Sequence, residues 1–314
     1  MAEPPYGVIW NRLKAGNVIP FLGAGASLGH RPDNVTWSVT HPQFFPSGAE
    51  LANLLADESQ YPSKDKYDRR DLSKVSSYYG DISGRPELRR RLREVFLHTV
   101  VTPDPIHRLI ALVDRPLLVV VTNYDNLMEQ AFKEANRPYD LVVHQADRKE
   151  YANSVLWWPH GAPKPLPVDP NQLAAKIDLT TTTVVYKMHG TVVAASSEWD
   201  NFVITEEDYV DFLSRMTRNE AIPAMFLTHF RDRSFLFLGY SLRDWNLRVI
   251  LKNINKSFAR HALADDSDPV PSWAIQAHPT EVECALWGKR NVNIFDIEID
   301  RFAGRMHELA VCPP

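Results

Sequence analysis

Short apolar runs recur along the chain, and between them the apolar residues follow the spacing of amphipathic helices. A run of about four to eight apolar or β-branched residues that stops at a glycine or a small polar residue is typical of a buried strand. Strands that alternate with helices predict a doubly wound α/β fold with a parallel sheet. The predicted strands are 18–22, 117–121, 139–143, 155–158, 183–188, 235–241, 272–277 and 292–297.

A helical insertion is predicted after the first strand, at about residues 47–113. Ser47-Gly48-Ala49-Glu50 has the Ser-x-x-Glu spacing of a capping box, so a helix is predicted to start there. A proline-rich loop is predicted at about 159–180. Because the alternation of strands and helices resumes after it, this loop is expected to be a connection within one domain and not a linker between two. The chain, 1–314, is thus predicted to be a single Rossmann-like domain. Further helices are predicted over 6–14, 72–79 and 86–99.

The charge balance argues against nucleic acid and membrane surfaces as general partners. The formal net charge is −4 for 314 residues, whereas nucleic-acid-binding domains usually carry a basic excess. A run of arginines in the predicted helix 86–99 fits either a polyanion site or a solvated helix face, and the solvated face is the preferred interpretation. These arginines are Arg89, Arg90, Arg91 and Arg93.

Membrane insertion, secretion and metal binding are not predicted either. The longest apolar runs are well below the roughly 20 residues of a spanning helix, and Glu3, Pro4 and Pro5 stand where a signal peptide would be basic and then apolar. Cys284 and Cys312 are far apart and form no Cys-x-x-Cys pair, so neither a disulfide framework nor a four-thiolate zinc site is expected. We expect a cytoplasmic protein without a metal.

Candidate chemistry begins at Gly23-Ala24-Gly25-Ala26-Ser27, the turn that ends the first predicted strand. Two glycines separated by alanine let the backbone turn sharply and come close to a ligand. If a helix starts near Ala26, its N–H groups and positive dipole end favour an anion such as a dinucleotide pyrophosphate. Gly29 falls one residue late for the third glycine of the full dinucleotide fingerprint, so a plain tight turn is the alternative.

Three further predicted strands also run into polar or small residues. These are Thr122-Asn123-Tyr124-Asp125, His189-Gly190 and Gly239-Tyr240-Ser241. Ligands of parallel sheets bind at the carboxyl ends of the strands, so these residues and the glycine turn are predicted to share a site. Asn123 and Asp125 are equally suited to capping the next helix, and a lone histidine is more often structural than catalytic.

Taken in order, the four strand ends resemble the sirtuin family, which has Gly-Ala-Gly-x-Ser, Gln-Asn-x-Asp, His-Gly and Gly-x-Ser at successive turns. Sirtuin deacylases carry a four-cysteine zinc module between the last two motifs, and this chain has no cysteine between His189 and Gly239. Thr122 replaces the usual Gln, and the Phe-Arg element of deacylases is not recognisable after Ser27. The chain is more similar to zinc-free, sirtuin-like effectors of prokaryotic antiphage defence, which share the turns FLGAGAS, TNYD, KMHG and FLGYS.

This resemblance implies an NAD hydrolase that cleaves the bond between nicotinamide and ribose and releases ADP-ribose. It implies that Asn123 positions water or the ribose hydroxyls and that His189 is the general base, for which a pKa near neutrality is expected. Nicotinamide departs neutral, so no acid is needed to protonate it. The residues implied to hold NAD are Gly23, Ala24, Gly25, Ser27, Thr122, Asp125, Gly239 and Ser241.

In that defence group the activity empties the NAD pool of an infected cell, which implies control by assembly. The expected forms are a homo-oligomer or a complex with a regulatory chain such as a HerA-like ATPase or a short Argonaute. Two alternatives stay open at this point. An NAD-dependent protein deacylase is disfavoured by the missing cysteines, and a non-catalytic module that senses NAD or ADP-ribose is disfavoured by the presence of both Asn123 and His189.

Overall fold

The computed structural model describes residues 3–29, 31–32, 35–40, 43–147, 149–151, 153–217, 221–240 and 271–311. The strands of this part of the chain are β1 (Val18–Leu22), β2 (Leu118–Val121), β3 (Asp140–His144), β4 (Val155–Trp158), β5 (Leu166–Val168), β6 (Val184–Lys187), β7 (Gly190–Thr191), β8 (Asn201–Phe202), β9 (Ser234–Leu238), β10 (Ser272–Gln276) and β11 (Val292–Asp296). The helices are α1 (Tyr6–Lys14), α2 (Gly48–Glu58), α3 (Leu72–Ser83), α4 (Arg85–His98), α5 (Pro105–Ala111), α6 (Leu127–Glu134), α7 (Glu206–Thr217), α8 (Ala224–Asp232), α9 (Glu281–Gly288) and α10 (Ile299–Val311). None of these helices has the length and apolar character needed to cross a membrane.

The main sheet has the strand order β11-β10-β9-β1-β2-β6-β3-β4-β5 among the described residues. Every neighbouring pair from β11 to β3 is parallel, and β4 and β5 continue the sheet antiparallel at one edge. The chain first builds on one side of β1 through β2, β3 and β6, and then returns to place β9 on the other side. This order confirms the predicted doubly wound fold and puts a topological switch point at β1, where such folds bind ligands.

Helices cover both faces of the sheet, so its strands are apolar on both sides. In β1, Ile19 and Phe21 belong to a core that includes apolar residues of α7, α8 and α9. Their neighbours Val18 and Leu22 belong to a second core with residues of α1, α5, α6 and α10. The alternation follows from the two-residue period of a strand and explains why β1 is buried at every position.

A third core holds the helical insertion together and joins it to the segment around β8. Apolar side chains of α2, α3 and α4 pack there with Tyr124 and Phe202. The predicted capping box at the start of α2 is confirmed, because Ser47 Oγ accepts from Glu50 N and Ser47 N donates to the Glu50 carboxylate. Helix α5 lies within the predicted insertion, 47–113, but it packs against α6 and α10 on the sheet.

Some of the local structure differs from the prediction. The proline-rich loop, 159–180, contains strand β5 and a 3₁₀ helix, Pro170–Ala175. Pro167 is accommodated because β5 is an edge strand, where a missing N–H costs no ladder hydrogen bond. The turn after β1 forms a 3₁₀ helix, Ala24–Ser27, instead of an α-helix. Helices α7 and α8 and the β7–β8 pair were not predicted.

The arginines of α4 make contacts within the chain, and their interpretation as a solvated face is wrong for all but Arg90, whose side chain is 54% exposed. Arg93 Nη1 donates to both carboxylate oxygens of the buried Asp200, at 2.9 and 2.8 Å. Arg89 donates to the main-chain oxygen of Asp200, at 2.9 Å. The remaining two form ion pairs, Arg90 with Glu87 and Glu94, and Arg91 with Glu58 and Glu94.

Candidate functional site

A pocket of about 300 Å³ lies where the carboxyl ends of β1, β2, β6 and β9 meet the helical insertion. The strand ends form one wall, and the insertion with the loop before it forms the opposite, largely apolar wall. The first wall consists of Ala24, Ser27, Thr122, Asn123, Tyr124, Asp125, His189, Gly239 and Tyr240. The opposite wall consists of Phe45, Pro46, Gly48, Leu51, Leu72 and Phe96, and α7 adds Tyr209.

The glycine turn after β1 packs directly against the turn after β9. Gly23 and Gly25 donate their N–H groups to the main-chain oxygens of Leu238 and Gly239, both at 2.9 Å. A Cβ on Gly25 would lie 2.9 Å from Gly239 Cα, and a Cβ on Gly239, which has a φ of +69°, would lie 2.0 Å from a main-chain nitrogen. From the sequence, these glycines are expected to let the backbone approach a ligand; in the structure their missing side chains let the two turns approach each other.

Asn123, Ser27 and Asp125 are linked by hydrogen bonds at the floor of the pocket. Asn123 Nδ2 donates to Gly23 O and to Ser27 Oγ, both at 2.9 Å. Ser27 Oγ donates to Asp125 Oδ2 at 2.9 Å, and Asp125 Oδ1 accepts from Leu127 N at 3.0 Å. Asp125 therefore supports the turn before α6 and fixes the serine of the glycine turn, which agrees with its structural interpretation, while its role toward a ligand stays a prediction.

Thr122 connects the three central strands at the edge of the pocket. Its N–H and Oγ1 donate to Leu22 O at 3.0 and 3.2 Å, and the Tyr240 hydroxyl donates to Thr122 Oγ1. A threonine at this position thus holds the ends of β1, β2 and β9 together through its hydroxyl.

A buried ion pair lies beneath the turn after β2. The Lys187 side chain has no exposed surface, its Nζ donates to the main-chain oxygen of Asp125, and it lies 3.6 Å from Glu129 Oε1. Burial raises the pKa of Glu129, and the nearby ammonium of Lys187 opposes that rise. Charged groups are seldom fully buried without a partner. Here Lys187 is paired with Glu129 and also hydrogen-bonds the main chain of the turn, so the pair stabilises the turn.

His189 follows β6 by two residues and lines the pocket although only 7% of it is exposed. Its ring makes perpendicular contacts with Tyr209 and Phe212, at centroid distances of 5.4 and 5.9 Å. Its Nε2 is buried, and no described residue hydrogen-bonds to it. Burial lowers the pKa of His189 to about 4, so the expected pKa near neutrality is wrong.

Comparison with known proteins places this site in a family. The SIR2-like domain matches residues 117–295, which is more than half of the chain. The chain belongs to the SIR2-like domain family. It is 29% identical over 247 residues to the NAD(+) hydrolase ThsA of Enterococcus faecium, covering 77% of this chain and 41% of that protein. It is 23% identical over 269 residues to the defense-associated sirtuin 2 of Bacillus subtilis, covering 85% of this chain and 21% of that protein.

The chain thus spans about two fifths or less of the length of these curated relatives of the SIR2-like domain family. A solved structure of a Sir2 enzyme aligns over 98% of this chain and 99% of its own, at 12% identity and a TM-score of 0.38. That score is too low to add to the description of the fold given above.

Most predicted site residues of this SIR2-like domain are brought together in the pocket. Ala24, Ser27, Thr122, Asn123, Asp125, His189 and Gly239 line it. Gly23 and Gly25 support it from the turn, and Ser241 lies outside the described residues. Within the described part of the chain, no three His, Cys, Asp or Glu side chains are grouped to hold a metal.

The apolar wall and Tyr209 were missed by the sequence analysis. Tyr209, Phe212, Leu213 and Met216 follow one another at helical spacing, so the pattern of an amphipathic α7 was present in the sequence. Phe96 continues the helical spacing of Leu88, Leu92 and Val95, and Phe45 follows Phe44 in a loop, but only the packing of the insertion brings these two rings to the strand ends.

Proposed function

We propose that this chain is an NAD hydrolase that cleaves the bond between nicotinamide and ribose. The observation that carries the proposal is the convergence of Asn123 and His189 on one pocket at the switch point of a SIR2-like domain. Several relatives are named NAD(+) hydrolase, at 25–29% identity for three of them, which supports the same activity. NAD is the proposed substrate, and nicotinamide and ADP-ribose are the proposed products.

Asn123 and His189 are assigned the two chemical roles. Both hydrogen bonds of the Asn123 amide to described residues are donated by Nδ2, so Oδ1 is the atom proposed to accept from water or a ribose hydroxyl. Water attacks the ribose carbon as the bond to nicotinamide breaks, and the bonding electrons leave with neutral nicotinamide. The proton of the attacking water passes to His189, which is neutral at pH 7 because its pKa is about 4.

The glycine turn is proposed to hold the pyrophosphate. Fewer of its main-chain N–H groups are free to donate to a phosphate than the glycine motif suggests. The N–H groups of Gly23, Gly25 and Ala26 all donate to main-chain oxygens. Contact with the substrate is therefore assigned to Ala24 and Ser27, which line the pocket, while the two glycines shape the turn. Asp125 and Thr122 are assigned to the nicotinamide side, and Gly239 and Ser241 to the adenosine or phosphate side.

The proposed biological role is antiphage defence by depletion of NAD in the cytoplasm. The Bacillus subtilis relative is named a defense-associated sirtuin, which supports that setting. An enzyme that empties the NAD pool must be silent until triggered, so control by assembly belongs to the proposal. The assembly is a homo-oligomer or a complex with a regulatory chain such as a HerA-like ATPase or a short Argonaute.

Nicotinamide release from NAD by the purified chain tests the proposal. Wild type, Asn123→Ala and His189→Ala are compared, and the size of the assembly is recorded in each sample. We expect turnover in wild type, a loss of at least about 100-fold in each variant and retained NAD affinity. Ser197→Ala, in a 3₁₀ helix away from the pocket, serves as the control.

Two outcomes would overturn this function. Deacylation of an acetyl-lysine peptide in place of hydrolysis would indicate a deacylase. Binding of NAD or ADP-ribose with no turnover in any assembly state, and equal loss of binding in both variants, would indicate a sensing module.

A further inference from the structure

The His189 imidazole packs against two aromatic rings. Catalytic histidines are usually held by a hydrogen bond from one ring nitrogen to a carboxylate or a carbonyl. Here Nε2 is buried with no such partner among the described residues, while the rings of Tyr209 and Phe212 stand perpendicular to the imidazole. The interplanar angles are 90° and 87°.

The segment before helix α7 is hydrogen-bonded to the turn that carries the histidine. Val203 N donates to His189 O at 2.9 Å, three residues before the helix begins. Asp208 accepts from Ile204 N at 3.0 Å and from Thr205 N at 2.9 Å, which closes the first turn of α7. The next residue along the helix, Tyr209, is therefore presented to the imidazole by a rigid element.

The same carboxylate connects α7 to the helical insertion. Arg85 of α4 donates to Asp208 Oδ2 at 2.8 Å, to Asp147 Oδ1 at 2.8 Å and to Phe202 O at 2.8 Å. Three elements thus converge one residue away from Tyr209. An aromatic ring held this firmly can restrict the orientation of its neighbour without a hydrogen bond.

We propose that Tyr209 is a positioning residue for His189, and that its ring takes the place of the orienting carboxylate and shields one side of the imidazole from bulk solvent. The role in turnover rests on the proposed function, whereas the role in orienting and shielding the ring does not. Phe212 completes the packing and also contacts the ring of His144, at a centroid distance of 4.8 Å.

The ionisable groups near His189 belong to several different elements of the fold. Tyr209 faces it from α7, Asp125 and Tyr240 share the pocket with it, and His144 on β3 contacts the same Phe212 ring. Burial lowers the pKa of His144 to about 3, so both imidazoles are neutral at pH 7. Lys187, two residues before His189, is engaged with the main-chain oxygen of Asp125.

The test compares Tyr209→Leu with Tyr209→Phe, which keeps the ring, and with Val210→Ala, an exposed neighbour on the same helix. The His189 imidazole is titrated by NMR in the full chain without substrate. Nicotinamide release is measured as kcat and KM across pH. Loss of the ring admits water, so in Tyr209→Leu we expect the His189 pKa to rise by about one unit or more toward 6.5.

In the same variant, kcat is expected to fall by about tenfold to 100-fold with KM within about twofold, because the base loses its alignment. Tyr209→Phe and Val210→Ala are expected to match wild type within about twofold in both measurements. Should Tyr209→Leu not fold, Tyr209→Met carries the same comparison.

Three results would overturn the inference. They are an unchanged His189 titration in the folded Leu or Met variant, an unchanged kcat in an active protein, or a Tyr209→Phe variant as impaired as Tyr209→Leu. If no form of the protein releases nicotinamide, the proposed function fails. The titration then still decides whether Tyr209 holds and shields the imidazole.

Discussion

Lys187 stabilises the turn that carries Asn123 and Asp125. The ammonium is fully buried between the main-chain oxygen of Asp125 and the carboxylate of Glu129. Glu129 Oε2 has no hydrogen-bond partner among the described residues, so its charge depends on Lys187. Removing one member of a buried pair leaves an uncompensated charge, whereas removing both charges leaves none.

Lys187→Met is therefore expected to destabilise the fold by about 3–5 kcal/mol. The double variant Lys187→Met/Glu129→Gln is expected to recover most of that loss, leaving about 1 kcal/mol for the hydrogen bond to Asp125 O. Urea unfolding of wild type, both single variants and the double variant measures the coupling. Strictly additive losses would show that the two side chains act independently.

At the scale of elements, the start of α2 joins the helical insertion to the loop before it. Glu50 accepts from Arg31 Nη1 at 2.7 Å, from Trp37 N at 2.8 Å and from Ser47 N at 2.9 Å. Burial opposes its ionisation, but these hydrogen bonds outweigh burial and lower the pKa of Glu50 to about 2. One carboxylate thus caps the helix and closes the loop that carries Phe45 into the pocket.

Glu50→Gln is expected to lose about 1–2 kcal/mol of stability at pH 7. The folded pKa of Glu50 lies below that of an unfolded glutamate, about 4.3, so the unfolded state binds the proton first as pH falls. The stabilisation is complete above pH 4.3 and is lost on the way down to about pH 2. Urea unfolding at pH 7, 5 and 3 should show wild type and variant converging, while Glu308→Gln, an exposed control, stays parallel to wild type.

Local signals explain which elements the sequence made predictable. Strand β1 and the Ser47 cap depend on residues next to each other in the chain, and both are confirmed. The β7–β8 pair is two residues long and depends on Gly190, whose Cβ would lie 2.0 Å from Asn201 O. Such a contact between distant residues has no period along the sequence, so it could not be predicted.

In the candidate site, too, the features set by local sequence were predictable, and those set by contacts between distant residues were not. The residues at the strand ends were predictable because parallel strands place their carboxyl ends at one edge. The burial that lowers the His189 pKa comes from α7 and from the rest of the fold, and it was therefore missed. The direction of a pKa shift depends on what covers a group, and the covering elements here lie far from it in sequence.

In the whole molecule, the pocket exists only because the insertion is held against the strand ends. Two arginines of α4 make that attachment through groups that lie on both sides of His189 in the sequence. Arg85 contacts Asp147, Asp208 and Phe202 O, and Arg93 contacts Asp200 together with Val193 O. The Asp200 side chain is 3% exposed, so Arg93 compensates a nearly buried charge.

Arg93→Met is expected to loosen the insertion while the sheet stays intact, because Asp200 loses its partner and α4 loses its anchor. Amide hydrogen exchange should speed up by about tenfold or more across α2–α4 and stay unchanged in β1, β2 and β6. Arg90→Met, on the same helix, removes only solvent-exposed ion pairs, which water and salt screen, and should leave the exchange pattern as in wild type. If the proposed function holds, KM for NAD rises in Arg93→Met because the apolar wall no longer stays closed over the strand ends. Faster exchange spread evenly over sheet and insertion would show instead that Arg93 stabilises the entire fold and does not specifically attach the insertion that closes the pocket.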